Sequence, residues 1–344
     1  MAVDEVLLAE PRGFCAGVEK AIKALAWMVQ TFPPPVYCYH EIVHNRHVVQ
    51  RFVDQGVIFV DDVEEVPSGA PLMLSAHGSA PEVVEAARRD DRIVVDAVCP
   101  LVTKVHHELK VRAKKGYEVL YVGHAGHEEA VGTMAVAPDV VHLVQTEGDL
   151  ERAAAMIDPG TPVALLAQTT LSHDEWRSLM EHARLRFPEL WMPNRSDLCF
   201  ATTNRQAALR EIAGRSDVVV VIGSANSSNT VALATVAKES GCPRVLRINE
   251  AVELPNDLSG IVGVTAGASA PERLVAEVIE RLAPSGGVTT VTVTEEDEYF
   301  PPPPELRDLL RRLEGSPEGE GPAALANDRD VSAAEVLERM ASGR

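Results

Sequence analysis

Short runs of β-branched and aliphatic residues recur along this chain. Each is followed by a turn rich in glycine or small polar residues, then by a stretch with apolar positions three and four apart. Val36–Tyr39, Val57–Val60, Leu72–Ser75, Val119–Val122, Val163–Ala167, Val218–Ile222, Val245–Ile248 and Ile261–Val264 read as strands. Val6-Leu7-Leu8-Ala9 is a further apolar run, and a helical pattern follows from Glu19 to about Val29. Strands alternating with helices predict an α/β fold with parallel sheets covered on both faces. In such sheets ligands bind at the carboxyl ends of the strands, so the turns there carry the chemistry.

Several of these turns resemble one another. Ser75-Ala76-His77-Gly78-Ser79-Ala80-Pro81-Glu82 parallels Thr265-Ala266-Gly267-Ala268-Ser269-Ala270-Pro271-Glu272, each placing proline at the start of a helix. The repetition predicts three small α/β units over residues 14–96, 97–194 and 195–313, with the N-terminal strand 1–13 joining the third. Pro301–Pro304 breaks regular structure, and residues 314–344 read as a flexible tail in which Asp330–Met340 can form a short helix.

A cysteine stands at a comparable place in each unit. Cys15 lies in Pro11-Arg12-Gly13-Phe14-Cys15-Ala16-Gly17-Val18, Cys99 follows the apolar run Ile93–Val98, and Cys199 follows Asp197-Leu198. A thiol at a helix start is stabilised as thiolate by free backbone N–H groups and the helix dipole. One such cysteine alone reads first as packing filler rather than as a ligand or nucleophile. Three from three units suit a cubane iron–sulfur cluster in which one iron is left open. Cys38 and Cys242 lack this context and read as structural.

Composition narrows the classes. The chain has 344 residues, of which 51 are acidic and 32 basic, for a formal net charge of −19. That balance, with only 4% aromatic residues, argues against a nucleic-acid partner. No apolar run approaches the roughly 20 residues of a membrane span. Five cysteines without close pairs do not form a disulfide framework, so a cytoplasmic location is expected.

Histidines mark the strand-end turns: His44 in His40–Asn45, His77 in Ala76-His77-Gly78, and His124 and His127 before Glu128 and Glu129. With carboxylates they can bind zinc, although the spacings match no common zinc signature. Protonated beside helix starts, they can hold an anion. Ser224-Ala225-Asn226-Ser227-Ser228-Asn229-Thr230 offers more small polar groups than a helix cap needs and favours the anion. Gln168–Ser172 is a similar turn. Glu129 in a dry site is a candidate general acid, whereas Glu128 and the run Glu295–Glu298 read as solvated surface.

Taken together, Pro-Arg-Gly-Phe-Cys-Ala-Gly-Val at 11–18, Val-His-Asn-Arg at 43–46, Ala-His-Gly at 76–78 and Asp-Ala-Val-Cys-Pro-Leu-Val at 96–102 carry a family resemblance. So do Gly-His at 123–124, Gln-Thr-Thr-Leu-Ser at 168–172, Cys-Phe-Ala-Thr-Thr-Asn-Arg-Gln at 199–206, Ser-Ala-Asn-Ser-Ser-Asn at 224–229 and Thr-Ala-Gly-Ala-Ser-Ala-Pro at 265–271. The sequence resembles the 4-hydroxy-3-methylbut-2-enyl diphosphate reductase family, the last step of the methylerythritol phosphate route to isoprenoids.

The resemblance implies three α/β units around a central four-iron, four-sulfur cluster held by Cys15, Cys99 and Cys199. It implies His44, His77, His127, Thr169, Ser227, Ser228, Asn229 and Ser269 around the substrate, mostly on its diphosphate, and Glu129 as the proton source. The implied reaction is reductive dehydroxylation to isopentenyl and dimethylallyl diphosphate. With no flavin or nicotinamide fingerprint in the chain, the electrons are expected from a ferredoxin- or flavodoxin-type donor. A redox-neutral iron–sulfur hydro-lyase and a cluster-containing sensor remain the competing readings.

Overall fold

The computed structural model describes residues 2–314 and 329–341. The strands are β1 (Ala2–Glu10), β2 (Val36–Tyr39), β3 (Val57–Val60), β4 (Pro71–Leu74), β5 (Ile93–Asp96), β6 (Glu118–Val122), β7 (Val141–Val144), β8 (Val163–Ala167), β9 (Val218–Ile222), β10 (Val245–Ile248), β11 (Ser259–Ala266) and β12 (Val288–Thr292). They form three sheets ordered β10-β9-β11-β1-β12, β3-β2-β4-β5 and β7-β6-β8. Every pairing is parallel, as the alternation of strand and helix predicts.

The chain divides into two compact units, Met1–Cys15 with Lys104–Asp297, and Ala16–Thr103 with Glu298–Arg344. The first unit holds the five-stranded and three-stranded sheets, and the second holds the four-stranded one.

Alternation along β9 explains how the five-stranded sheet is covered. Val218, Val220 and Ile222 pack on one face with Leu274, Val275 and Val278 of helix Glu272–Leu282. Val219 and Val221 point the other way, onto Leu209 and Ile212 of helix Phe200–Ala213 and Leu233 and Val236 of helix Ser228–Glu239. The same division holds in β6, where Leu120 and Val122 join the cluster around Trp176 and Leu179 while Val119 and Tyr121 join Val105 and Leu109. Burying each such aliphatic side chain contributes about 1.5–3 kcal/mol, so both sheets are held from two sides.

Two features depart from the sequence pattern. No strand leads into Cys199; instead Trp191 bridges to β8, with its N–H on the Val163 carbonyl at 2.9 Å and its carbonyl on the Leu165 N–H at 2.9 Å. Helices also follow the proline run, one just ahead of the expected tail and one within it. Pro304 opens a helix, Pro304–Glu314, with Leu306 and Leu310 fully buried, because proline suits a first helical turn. A further helix, Ala333–Ala341, buries Ala333, Val336, Leu337 and Met340. The rest of that tail, 315–328 and 342–344, lies outside the described residues.

In the second unit Leu72 and Leu74 of β4 pack with Val60, Val63 and Ala87. Helix Ala333–Ala341 lies against helices Ala16–Thr31 and Arg46–Val53, with the Ala333 N–H on Glu19 at 2.6 Å and the Gln55 Nε2 on the Met340 carbonyl at 3.3 Å.

Candidate functional site

The residues singled out by sequence fall in the turns after β1, β2, β4, β5, β6, β8, β9 and β11, which are carboxyl ends of parallel strands, and at the helix start of Cys199. In the first unit the turn after β6 caps helix Glu128–Met134. The N-cap His127 accepts the Glu129 N–H on Nδ1 at 3.2 Å. In the neutral ring that contact leaves the proton on Nε2, so His127 presents a donor. Glu129 itself is 2% exposed. Its Oε1 accepts the Thr169 N–H at 2.7 Å and its Oε2 accepts the Thr169 hydroxyl at 2.9 Å. Burial pushes the Glu129 carboxyl up to about 7, against the two Thr169 bonds that favour its charged form.

Thr169 also reaches the neighbouring cysteine, because its carbonyl accepts the Cys199 N–H at 3.0 Å. Cys199 is the N-cap of helix Phe200–Ala213, and its Sγ accepts the Thr202 N–H at 3.3 Å and lies 3.0 Å from the Thr202 hydroxyl. Burial, then the nearby Cys15 thiol, push the Cys199 thiol up to about 11. The Cys15 loop is tied to the turn after β11, with the Gly13 N–H on the Ala266 carbonyl and the Cys15 N–H on the Ala268 carbonyl, each at 3.2 Å.

The turn after β9 supplies a second helix start. Ser227 caps helix Ser228–Glu239, and Ser227, Ser228 and Asn229 are all buried. Asn229 accepts the Ala268 N–H at 2.9 Å, which locks this helix start to the loop carrying the buried Ser269. Close approach requires glycine on both sides: a Cβ at Gly223 or Gly267 would overlap the Thr230 side chain. The N–H groups of this terminus and the positive dipole end can hold an anion, which makes it a candidate anion cradle.

In the second unit the His44 and His77 rings stack, with centroids 3.9 Å apart and planes 13° from parallel. The Cys99 N–H donates to the Ala76 carbonyl at 3.0 Å, so Cys99 and His77 share one loop junction.

Further residues support these turns, and of them His124 and Gln168 lie in turns the sequence already marks. Asp96 accepts the Val98 N–H at 2.9 Å, and Asp197 accepts the Ala167 N–H at 3.2 Å while pairing with Lys104 at 3.1 Å. Half-buried Asp96 and buried Asp197 precede a cysteine by three and two residues, a regularity visible in the sequence itself. The buried Lys20 donates to the Val98 carbonyl at 2.8 Å, and burial lowers its pKa. Gln168 is fully buried; it accepts the His124 N–H at 2.9 Å and donates to Ser228 Oγ at 3.1 Å. His124 faces Glu175 at 3.1 Å, and that hydrogen bond raises its pKa. Two surface assignments need correction. Glu128 is half-buried in the first turn of its helix, where the dipole also favours a carboxylate. Glu296 turns inward onto buried Arg205, whereas Glu295, Asp297 and Glu298 are exposed.

The donor set fits an iron–sulfur group. Cys15, Cys99 and Cys199 are in no disulfide, and the Cys199 sulfur accepts the Thr202 N–H beside the Thr202 hydroxyl, an arrangement found around cluster thiolates. Among the described residues no helix is long and apolar enough to cross a membrane.

The family model described as LytB protein matches residues 6–283. A Rhodopirellula baltica protein named 4-hydroxy-3-methylbut-2-enyl diphosphate reductase is 46% identical over 312 residues, covering 88% of this chain and 96% of its own. A protein of the same name from Acidothermus cellulolyticus is 46% identical over 329 residues, covering 94% and 95%. The solved E-1-hydroxy-2-methyl-but-2-enyl-4-diphosphate reductase of Plasmodium falciparum superposes with a TM-score of 0.86 at 31% identity, over 91% of this chain and 100% of that one. The matched span contains all three helix-start cysteines, Glu129 and the Ser227–Asn229 cradle, and the chain belongs to the LytB protein family.

Proposed function

We propose that this protein is a 4-hydroxy-3-methylbut-2-enyl diphosphate reductase. The observation that carries the reading is the continuous link from an acid of raised pKa to a cysteine, Glu129–Thr169–Cys199, in the same unit as a helix-start anion cradle. A sensor has no use for the acid, and a cysteine hydrolase has no use for three cysteines at helix starts.

Cys15, Cys99 and Cys199 together hold one four-iron, four-sulfur cluster, which when bound supplies electrons and a Lewis-acidic iron. The Thr202 N–H and hydroxyl orient the Cys199 sulfur for that task. Ser227, Ser228, Asn229 and Ser269, with His44 and His77, bind and orient the diphosphate. His127 donates from Nε2 towards the substrate. Glu129 keeps its proton up to about neutral pH and delivers it as the allylic C–O bond breaks, so that the hydroxyl leaves as water. Thr169 holds that carboxyl in place. Two electrons and a second proton, added at either end of the allyl unit, balance the formation of isopentenyl and dimethylallyl diphosphate. The fixed donors contribute through positioning and charge stabilisation. A ferredoxin- or flavodoxin-type protein supplies the electrons.

Anaerobic turnover of 4-hydroxy-3-methylbut-2-enyl diphosphate with a reduced viologen tests this on cluster-reconstituted protein. Dye oxidation with both C5 diphosphates as products is expected, and Cys15→Ser, Cys99→Ser and Cys199→Ser should each abolish it. No turnover with an intact cluster overturns the reading and favours the hydro-lyase or the sensor.

A further inference from the structure

Arg205 is the largest fully buried side chain, with a guanidinium only 1% exposed, and none of the chemistry above uses it. Its donors are spent on one specific set of acceptors. Nε donates to the Gly13 carbonyl at 3.0 Å and Nη2 to the Phe14 carbonyl at 3.1 Å, the two residues immediately before Cys15. Nη1 donates to the Ala201 carbonyl at 3.0 Å, two residues after Cys199, and to both oxygens of Glu296 at 3.1 and 3.0 Å. Asn204 adds a hydrogen bond from Nδ2 to Glu296 Oε1 at 2.9 Å, so the carboxylate is held from two sides.

A buried ion pair is weak evidence of net stabilisation, since apolar replacements of similar volume are often as stable. What an apolar pair cannot reproduce is a planar fork that holds two carbonyls of the Cys15 loop while bonding a carbonyl in the first turn of its own Cys199-capped helix. We infer that Arg205, charge-balanced by Glu296, is a positioning residue that sets the relative placement of Cys15 and Cys199 as cluster ligands. The inference rests on the reading of these cysteines as ligands of one cluster. Glu296 would then tune that placement from a segment that sequence alone reads as solvated. Groups around metal ligands typically change metal affinity or activity 10- to 100-fold when altered.

The test compares cluster-reconstituted wild type with Arg205→Lys, Glu296→Gln and, as a control, Glu272→Gln, which removes the surface partner of Arg12. Circular dichroism checks the fold, a chelator reads iron release, and electron paramagnetic resonance reads the reduced cluster. Arg205→Lys and Glu296→Gln are expected to release iron about tenfold faster and to show altered g-values with unchanged dichroism. Glu272→Gln should match wild type. Glu296→Gln is isosteric and leaves every Arg205 bond to backbone in reach, so it decides the matter if Arg205→Lys does not fold. Folded variants with wild-type iron release and spectrum overturn the inference alone. A wild type that assembles no cluster overturns it together with the cofactor reading.

Discussion

Thr169 holds Glu129 by both carboxylate oxygens, through its N–H at 2.7 Å and its hydroxyl at 2.9 Å. These bonds favour the ionised acid, yet burial outweighs them and the carboxyl stays protonated to about pH 7. The balance suits a group that must give up its proton during the reaction and regain it afterwards. It also makes the site sensitive to small changes at Thr169.

Replacing the acid separates proton delivery from cofactor retention. Glu129→Gln preserves the shape and still accepts the Thr169 N–H on its amide oxygen. It is expected to reduce kcat by about 100-fold or more, the usual contribution of a positioned general acid. Iron content and the visible spectrum should stay at wild-type levels. A proportional loss of iron would mean that Glu129 supports the cluster instead.

The pH dependence follows from the direction of the shift. The Glu129 carboxyl is raised from 4.5 to about 7, so the donor form is lost as pH rises through neutrality. The kcat of the reductase should therefore fall above about pH 7. Stability moves in the same direction. Below pH 4.5 the acid is protonated in folded and unfolded chains alike; between 4.5 and 7 only the folded chain holds the proton; above 7 the fold carries a buried charge. Relative to Glu129→Gln, wild type should thus lose stability between pH 4.5 and 7, by a total of about 3 kcal/mol. Urea midpoints of the two proteins at pH 5 and pH 8 measure it.

Thr169→Val removes the hydroxyl and keeps the N–H. One bond that favours ionised Glu129 disappears, so its pKa rises further and the upper limb of the kcat profile should move to higher pH. A profile shifted to lower pH would contradict the assignment of Glu129 as the titrating group.

The glycines beside Thr230 make the anion cradle a packing question. Gly267→Ala places a methyl group against the Thr230 side chain, and the start of helix Ser228–Glu239 must shift to admit it. Overpacking of this kind costs about 1–3 kcal/mol of stability. If the displaced groups bind the end of the substrate away from the reacting hydroxyl, as proposed, KM for the diphosphate substrate should rise more than kcat falls. Steady-state kinetics separates the two.

Much of this arrangement is legible in the sequence because local chemistry dictates it. The β-branched run Val218–Ile222 reads as a covered strand, and Ser227 to Thr230 after it read as a helix start. The strands Val141–Val144 and Val288–Thr292 were not singled out. The first is short with a histidine inside it, and the second is an edge strand whose residues are mostly exposed, so neither shows the apolar run of a buried strand. The cysteines, Glu129 and the polar turns stand out by composition at strand ends. Lys20, Arg205 and Glu296 do not, because their hydrogen-bond partners lie 78, 192 and 91 residues away along the chain, and sequence spacing carries no trace of such pairings.

The C-terminal helix gives a last case in which packing overrides composition. Ala333–Ala341 follows a polar stretch and reads as peripheral, yet Leu337 is 8% exposed and Val336 6%. Lys23 reaches back to the Val331 carbonyl at 3.3 Å and lies over the Tyr299 ring at 5.4 Å, tying both sides of this segment to helix Ala16–Thr31. Leu337→Ala is therefore expected to destabilise the protein by about 2–3 kcal/mol, as truncation of a buried leucine does. Thermal unfolding should show the loss, and activity at low temperature should persist, since no residue of that helix belongs to the candidate site. An unchanged melting temperature would show that the helix is dispensable to the fold.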